Sequence, residues 1–170
     1  LHACISPAGL AVDSNYLYIA CGSDRRIKKL DLLTDLGYVI AGTGSAGDLN
    51  HVVASTAMIG NPGFLQLTSN GLLFSDLNYH KVKFINLSGG MVSFWGISVA
   101  PGNLATLVGN ASTGNGGNNV SPLSAVSAPE AFYFDGTNLF LSPDPMQAGL
   151  VVVNGQGVGM DVGSVTVSPN

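Results

Sequence analysis

The stretch Pro7–Leu32, PAGLAVDSNYLYIACGSDRRIKKLDL, decides the fold. It holds three short apolar or alternating runs, Gly9–Val12, Tyr16–Ala20 and Ile27–Leu30, separated by Asp13-Ser14-Asn15 and Gly22-Ser23-Asp24. Those separators favour turns, because short polar side chains bond the neighbouring backbone and glycine tolerates positive φ. Three runs joined by two tight turns predict an antiparallel three-stranded meander. An eroded copy of the stretch begins at Pro62 and a fainter one at Pro129, so the chain is a repeat protein.

Outward from this stretch, each copy gains a fourth strand. In the first copy, about residues 5–42, it is Tyr38–Gly42. In the second, about residues 62–109, the strands Phe64–Leu67, Leu72–Ser75 and Val82–Ile85 are followed by Leu104–Val108 only after an insertion, residues 88–101. The turn at Ser69-Asn70-Gly71 is of a kind hairpins prefer. The third copy, about residues 129–167, reads Ala131–Asp135, Leu139–Ser142, Leu150–Asn154 and Val162–Val167. The insertion carries the single tryptophan, Trp95, in the alternating run Met91–Val99, which predicts an added strand or β-arm. Nowhere does a capped 3.6-residue period persist over ten or more residues. The expectation is an all-β domain over residues 1–170 with essentially no helix.

Composition narrows the setting. At 46% apolar residues the chain can fill a core, yet only 9% of residues are Asp, Glu, Lys or Arg, against roughly a quarter in globular proteins generally. Uncharged polar groups and 23 glycines dominate the remainder, which fits a secreted or surface-displayed protein better than a cytosolic enzyme. A net charge of -4 argues against general affinity for nucleic acid or anionic membranes. Apolar runs fall far short of the ~20 residues a membrane helix requires. The chain starts at Leu1, which we read as a processed N-terminus or a piece of something longer, either being compatible with export. With the first hairpin centred on Ser14-Asn15, Cys21 falls close to Pro7 and Ala8, with Cys4 a few residues beyond. That register leaves a disulfide open but favours Cys4 as a small buried apolar side chain, at the place of Ile59 and Val126 in the other copies.

The copies resemble NHL repeats, the blades of a family of β-propellers. The first copy carries P-x-G-L-A-V-D, then L-Y-I-A, then R-I-K-K-L-D; the second keeps Pro62, Gly63, Ser75-Asp76, Asn78 and His80-Lys81-Val82-Lys83. Ile40-Ala41-Gly42-Thr43-Gly44 and Gly114-Asn115-Gly116-Gly117 resemble the linkers of secreted bacterial members. Departures include Cys21 in place of an Asp, and Pro143 and Pro145 in place of an Asp-rich turn. The resemblance implies a partial β-propeller of about three four-stranded antiparallel blades. Propellers close with roughly four to eight blades. The chain is therefore expected to be a fragment of a longer propeller, the favoured reading, or half of a six-bladed ring, or a set of blades that another protein completes. Each alternative implies a protein partner or self-association through blade faces.

The chemistry-bearing residues are sparse. All six basic residues lie in corresponding third-strand positions, Arg25, Arg26, Lys28 and Lys29 in one copy and Lys81 and Lys83 in the next. The plain reading is that they solvate that strand, with Asp24, Asp31 and Asp76 as nearby acids and with a lysine stem lying over apolar neighbours. The resemblance also implies a metal-dependent lyase or hydrolase as the alternative function. However, His2, His51 and His80 share no zinc-site spacing, and Asp48-Leu49-Asn50 lacks the carboxylates of a calcium loop. No catalytic residue, metal or cofactor is assigned. Three glycosylation sequons start at Asn86, Asn110 and Asn119. The expected function is an extracellular or cell-surface binding or scaffold module, without nucleic-acid partner or membrane insertion in this segment. A ligand-sensing ectodomain is a further expectation if a membrane segment exists elsewhere. The candidate contact residues are the turns between second and third strands, Asp24, Arg25 and Arg26 with Asp76, Asn78, Tyr79 and His80, together with Trp95 in the insertion.

Overall fold

The structure, a computed structural model, describes residues 3–110, 131–142, 151–153 and 159–161. Among the described residues three larger antiparallel sheets follow one another along the chain, with a separate two-stranded sheet inserted in the second. Sheet I is the meander β1 (Pro7–Val12), β2 (Tyr16–Cys21), β3 (Arg26–Asp31) and β4 (Gly37–Ala41). A linker then supplies β5 (Val52–Val53) and a single 3-10 turn, Ala54–Thr56. Sheet II contains β6 (Pro62–Thr68), β7 (Gly71–Asp76), β8 (Lys81–Asn86) and, after the short hairpin β9 (Val92–Phe94) and β10 (Ile97–Val99), β11 (Asn103–Val108). Sheet III is β12 (Ala131–Phe134), β13 (Leu139–Ser142), β14 (Val151–Val153) and β15 (Gly159–Asp161).

The turns explain why the repeat folds locally as it does. Asp13 Oδ1 accepts the N–H groups of Asn15 and Tyr16, both at 2.8 Å. Thr68 Oγ1 takes those of Asn70 and Gly71 at 3.3 and 3.1 Å, and Asp135 Oδ1 those of Thr137 and Asn138 at 2.8 and 2.7 Å. One side-chain acceptor at the same place in each copy closes the first hairpin. At the next turn, Arg25 and His80 occupy equivalent left-handed positions, with φ of 51° and 52°. The linker glycines Gly42 and Gly109, themselves at positive φ, approach those turns so closely that a Cβ would lie 2.1 Å from the Arg25 carbonyl oxygen and 2.3 Å from that of His80.

Packing is face to face. Tyr18, Ala20, Ile27 and Ala41 on one face of sheet I bury Leu65, Leu72, Phe74, Ile85 and Leu104 of sheet II. The reverse face of sheet II, Leu73, Val82, Phe84, Ala105 and Leu107, buries Phe132, Leu139, Leu141 and Val153 of sheet III. Each such large side chain withdrawn from water contributes about 1.5–3 kcal/mol before chain entropy is charged against it. First strands lie close together: a Cβ on Gly9 would fall 2.2 Å from the Gly63 carbonyl oxygen. Between sheets II and III, the Gln66 carboxamide donates to the Phe134 carbonyl at 2.7 Å and accepts the Phe134 N–H at 2.8 Å, standing in for a strand partner.

The strands of sheets I and II fall where the alternation places them, extended by a residue or two. Four points differ. Cys4 and Cys21 form a disulfide, Cα–Cα 5.3 Å, overturning the expectation of a buried free Cys4. Its physical reason is local: Cys21 pairs with Pro7 as the register requires, a bulge follows between Pro7 and Gly9, and Ser6 turns through φ 54° with its carbonyl accepting the Gly22 N–H. That reversal folds Cys4 back onto Cys21. Second, β5 pairs with β11 and gives sheet II a fifth strand, order β5-β11-β8-β7-β6, anchored by Asn50 Oδ1 accepting the Thr106 N–H at 2.6 Å. Third, the insertion forms a separate two-stranded hairpin. Fourth, β14 of sheet III is paired with an unexpected strand, Gly159–Asp161; the expected strand Val162–Val167 lies outside the described residues. So do the expected third-copy boundary at 129 and the proline turn at Pro143 and Pro145.

Two stability predictions follow from this geometry. Closing a chain separation of 17 residues, the disulfide stabilises by about 3 kcal/mol on the chain-entropy account. Reduction should lower the urea midpoint accordingly, and identical unfolding curves with and without reductant would refute the bond's contribution. Gly9→Ala should cost about 1–3 kcal/mol through overpacking against Gly63, read in the same assay.

Candidate functional site

The sequence candidates divide between the two ends of the sheets. Seven of them, Asp24, Arg25, Arg26, Asp76, Asn78, Tyr79 and His80, sit at the end that carries the turns between second and third strands. Trp95 sits at the opposite end, on the hairpin that follows β8.

At the first end most polar groups are engaged within the chain. Asp24 pairs with Lys28 at 2.8 Å and accepts the Ile5 N–H at 3.2 Å. The Arg26 guanidinium donates to the Thr43 carbonyl. Asp76 is fully buried; its Oδ2 accepts from Lys83 Nζ at 2.8 Å and from the Gly60 N–H at 3.0 Å. Tyr79 lies with its ring 5.6 Å from Lys83 Nζ, while Asn78 is exposed. Lys83 is also 3.0 Å from Asp48, which pairs in addition with Lys81. The expectation that the basic residues solvate the third strand is therefore corrected: Lys28 and Lys83 are buried ion-pair partners on the apolar face. Of the three acids expected beside them, Asp24 and Asp76 pair with lysines, whereas Asp31 accepts the N–H groups of Leu33 and Thr34. Asp48, read from sequence as a poor calcium ligand, joins the lysine cluster. Burial pushes the Asp48 carboxyl upward in pKa, but the two ammonium groups outweigh it and hold the group below its ordinary 3.8.

The second end presents a cleft of about 520 Å³ between the first-hairpin turns of sheets II and III and the inserted hairpin. Its walls include Ser69 and Asn70, Phe94 and Trp95, and Phe134 to Thr137. Both ends of the insertion are held by Asn86, whose buried amide donates to the carbonyls of Gly90 at 2.7 Å and Val99 at 2.8 Å. This leaves the Asn86 sequon inaccessible in the folded chain. Phe94 pairs with Ile97, so Trp95-Gly96 is a two-residue loop with φ of 48° and 86°. Two positive φ values match the tight hairpin turn that prefers Asn-Gly. A tryptophan there holds a sparsely populated conformation that costs on the order of 1–3 kcal/mol. The ring is braced edge-to-face by Phe94 at 6.1 Å and Phe134 at 6.3 Å. Sequence reasoning found Trp95 but missed Ser69, Asn70, Phe134 and Thr137, since nothing local links turns of two different repeats.

Among the described residues one group could in principle gather a metal ion, Cys4, Cys21 and Asp24. Its two sulfurs are joined in the disulfide and so offer no thiolate. His51 is exposed in the linker, His80 lies in its turn, and His2 lies outside the described residues.

No protein-family profile matches the chain. Part of it is 34% identical over 82 residues to Protein SUPPRESSOR OF QUENCHING 1, chloroplastic, of Arabidopsis thaliana, and 32% identical over 91 residues to NHL repeat-containing protein 2 of Homo sapiens. These matches take in 48% and 51% of the chain but only 8% and 12% of the two proteins, so the chain spans a small part of either relative. In fold it is similar to a Bacteroides thetaiotaomicron protein of unknown function, with TM-score 0.61 at 18% identity over 95% of the chain and 37% of that protein. It is also similar to an auxiliary nutrient binding protein of the same organism, with TM-score 0.56 at 13% identity over 90% and 35%. The fold is thus a partial propeller-like, all-β architecture, and about half of the chain is similar in sequence to a part of an NHL repeat-containing protein.

The ion-pair cluster generates a pH prediction. With the folded-state pKa of Asp48 depressed, its contribution is complete above the unfolded value and is lost as pH falls through the folded one. Asp48→Asn should destabilise by on the order of 1 kcal/mol at pH 7, and the gap to wild type should shrink as pH drops below about 4. A gap that stays constant down to pH 3 would sink this assignment.

Proposed function

We propose that this chain is a β-propeller binding module that acts outside the cell or at its surface, works by association and not catalysis, and engages protein partners or further copies of its own repeat through open blade faces. The observation that carries this reading is a residue-for-residue correspondence. Leu10, Leu17, Ile19 and Leu30 on the open face of sheet I stand in the same register as Leu65, Leu72, Phe74 and Ile85 of sheet II. In sheet II this set is buried, with Leu65 4% and Phe74 0% exposed; in sheet I, Leu10 is 64% and its neighbour Val12 62% exposed. Sheet I therefore offers a surface whose counterpart one repeat later is core. The fitting occupant is another sheet bearing a face like Tyr18, Ala20, Ile27 and Ala41.

Sheet III offers the complementary kind of face, with Tyr133 62% exposed and Phe140 and Val152 partly so. Head-to-tail association through the two faces would satisfy both. The disulfide and the low surface charge support an oxidising, extracytoplasmic setting. A neighbour of similar fold described as nutrient binding supports a binding use of the scaffold.

In sedimentation velocity the chain should show concentration-dependent association. Leu10→Asp should abolish it while changing chain stability by no more than about 0.5 kcal/mol, as expected of an exposed position. A chain that remains monomeric at all concentrations would overturn the self-association arm. A stoichiometric metal ion whose removal abolishes a lyase or hydrolase activity would overturn the non-catalytic one.

A further inference from the structure

We infer that the cleft between the inserted hairpin and the first-hairpin turns of sheets II and III is a binding site for a neutral oligosaccharide. It deepens the binding-module reading but rests on a different part of the molecule, at the turn end of the sheets. Three observations converge there. First, the insertion exists to place an aromatic platform: Asn86 fixes both of its ends, and its tip carries Trp95 at a left-handed position that glycine or asparagine would fill without strain. A strained tryptophan lining a cleft, braced by Phe94 and Phe134, is suited to stacking against the C–H face of a pyranose ring.

Second, three uncharged hydrogen-bonding side chains around it are unspent, whereas Thr68 and Ser93 are bonded within the chain. The side chains of Ser69, Asn70 and Thr137 line the cleft and have no hydrogen-bond partner among the described residues. A carboxamide and two hydroxyls can both donate and accept, as sugar hydroxyls do. Third, the charge balance selects neutrality. Among the described residues Asp135 is the only ionisable one in the lining, and both its oxygens are occupied within its own turn, Oδ1 by the Thr137 and Asn138 N–H groups and Oδ2 by the Asn138 amide at 3.1 Å. No lysine or arginine lines the cleft to neutralise a phosphate, carboxylate or sulfate. Its volume of about 520 Å³ lies in the range of small-molecule sites.

The test uses the chain's single tryptophan as its own reporter. Titration with maltotriose, cellotriose, mannotriose and chitotriose should produce, for at least one of them, a saturable change in Trp95 emission with a micromolar to millimolar Kd. By calorimetry, Trp95→Ala should weaken that sugar at least tenfold and Asn70→Ala about tenfold, the worth of one good hydrogen bond. Trp95→Phe should retain part of the affinity, which covers the case in which the alanine variant disturbs the hairpin. Leu10→Asp should bind the sugar as wild type does, so failure of the face-association reading and failure of this one are separable. Absence of a saturable response to all four sugars up to about 10 mM, above the whole expected Kd range, overturns the inference. So does unchanged affinity in both Trp95→Ala and Asn70→Ala, or tighter binding of trigalacturonic acid or of a proline-rich decapeptide.

Discussion

Everything in this structure depends on the stacking of one sheet's apolar face against the next. A four-stranded meander has two faces, and here both are apolar in alternate residues, so a single sheet leaves half of its core in water. Burying Leu65, Leu72, Phe74 and Ile85 against Tyr18, Ala20 and Ile27 removes that liability for one face of each sheet. The next layer repeats the solution with Phe84 and Leu107 against Phe132 and Leu141. Stability is therefore a property of neighbouring pairs of repeats, and wherever a repeat lacks a neighbour an apolar face is left over. The exposed Leu10 and Val12 are that remainder.

On the same faces the chain tolerates buried lysines, and how it does so accounts for the departures in the first repeat. Lys83 is accommodated in the interface because Asp76 and Asp48 lie within ion-pair distance and the Tyr79 ring lies beside it. Leaving such an ammonium unpaired would cost several kcal/mol. In sheet I the position of Asp76 is taken by Cys21, and Lys28 finds Asp24 and the Ala3 carbonyl instead, at 2.8 and 3.0 Å. The N-terminal segment that supplies Ala3 is held there by Cys4–Cys21. One substitution thus removes a carboxylate and creates the bond that fixes its replacement.

Much of the fold is legible in the sequence because each strand is bracketed by turn chemistry that acts over three or four residues. Asp13, Thr68 and Asp135 each close a hairpin through their own neighbours, and such local causes show in a single chain. What escaped notice is what depends on contacts between distant residues. The disulfide required the reversal at Ser6, β5 required an edge of sheet II to pair with, and the strand Gly159–Asp161 carries no alternation to announce it. The lysines followed the expected alternation, but the burial of Lys83 depends on Asp48 in the linker and on the neighbouring sheet, and that of Lys28 on the N-terminal segment that brings the Ala3 carbonyl to it. For the site, the tryptophan stands out by its singularity, whereas its cleft partners look like ordinary turn residues until the sheets are stacked.

The two ends of the sheets have diverged in how they use polar side chains. At the end of the second turns, Asp24, Arg26 and Asp76 are committed to backbone carbonyls, N–H groups and lysines, and the linker passes among them, the Asn61 backbone carbonyl accepting the Leu77 N–H. Apart from the buried Asp76 Oδ1 and Asn61 Oδ1, which have no partner among the described residues, these groups are already matched, so an incoming ligand would have to break bonds of equal quality to use them. At the other end the turns are closed by Thr68 and Asp135, which frees Ser69, Asn70 and Thr137 to face solvent with their hydrogen-bonding capacity intact. Insertions are tolerated where chain reversals meet solvent, and the hairpin bearing Trp95 enters at this end. A ligand gains most where polar groups are unspent and an apolar platform stands beside them, so specific recognition belongs to the end that the fold does not need for its own cohesion.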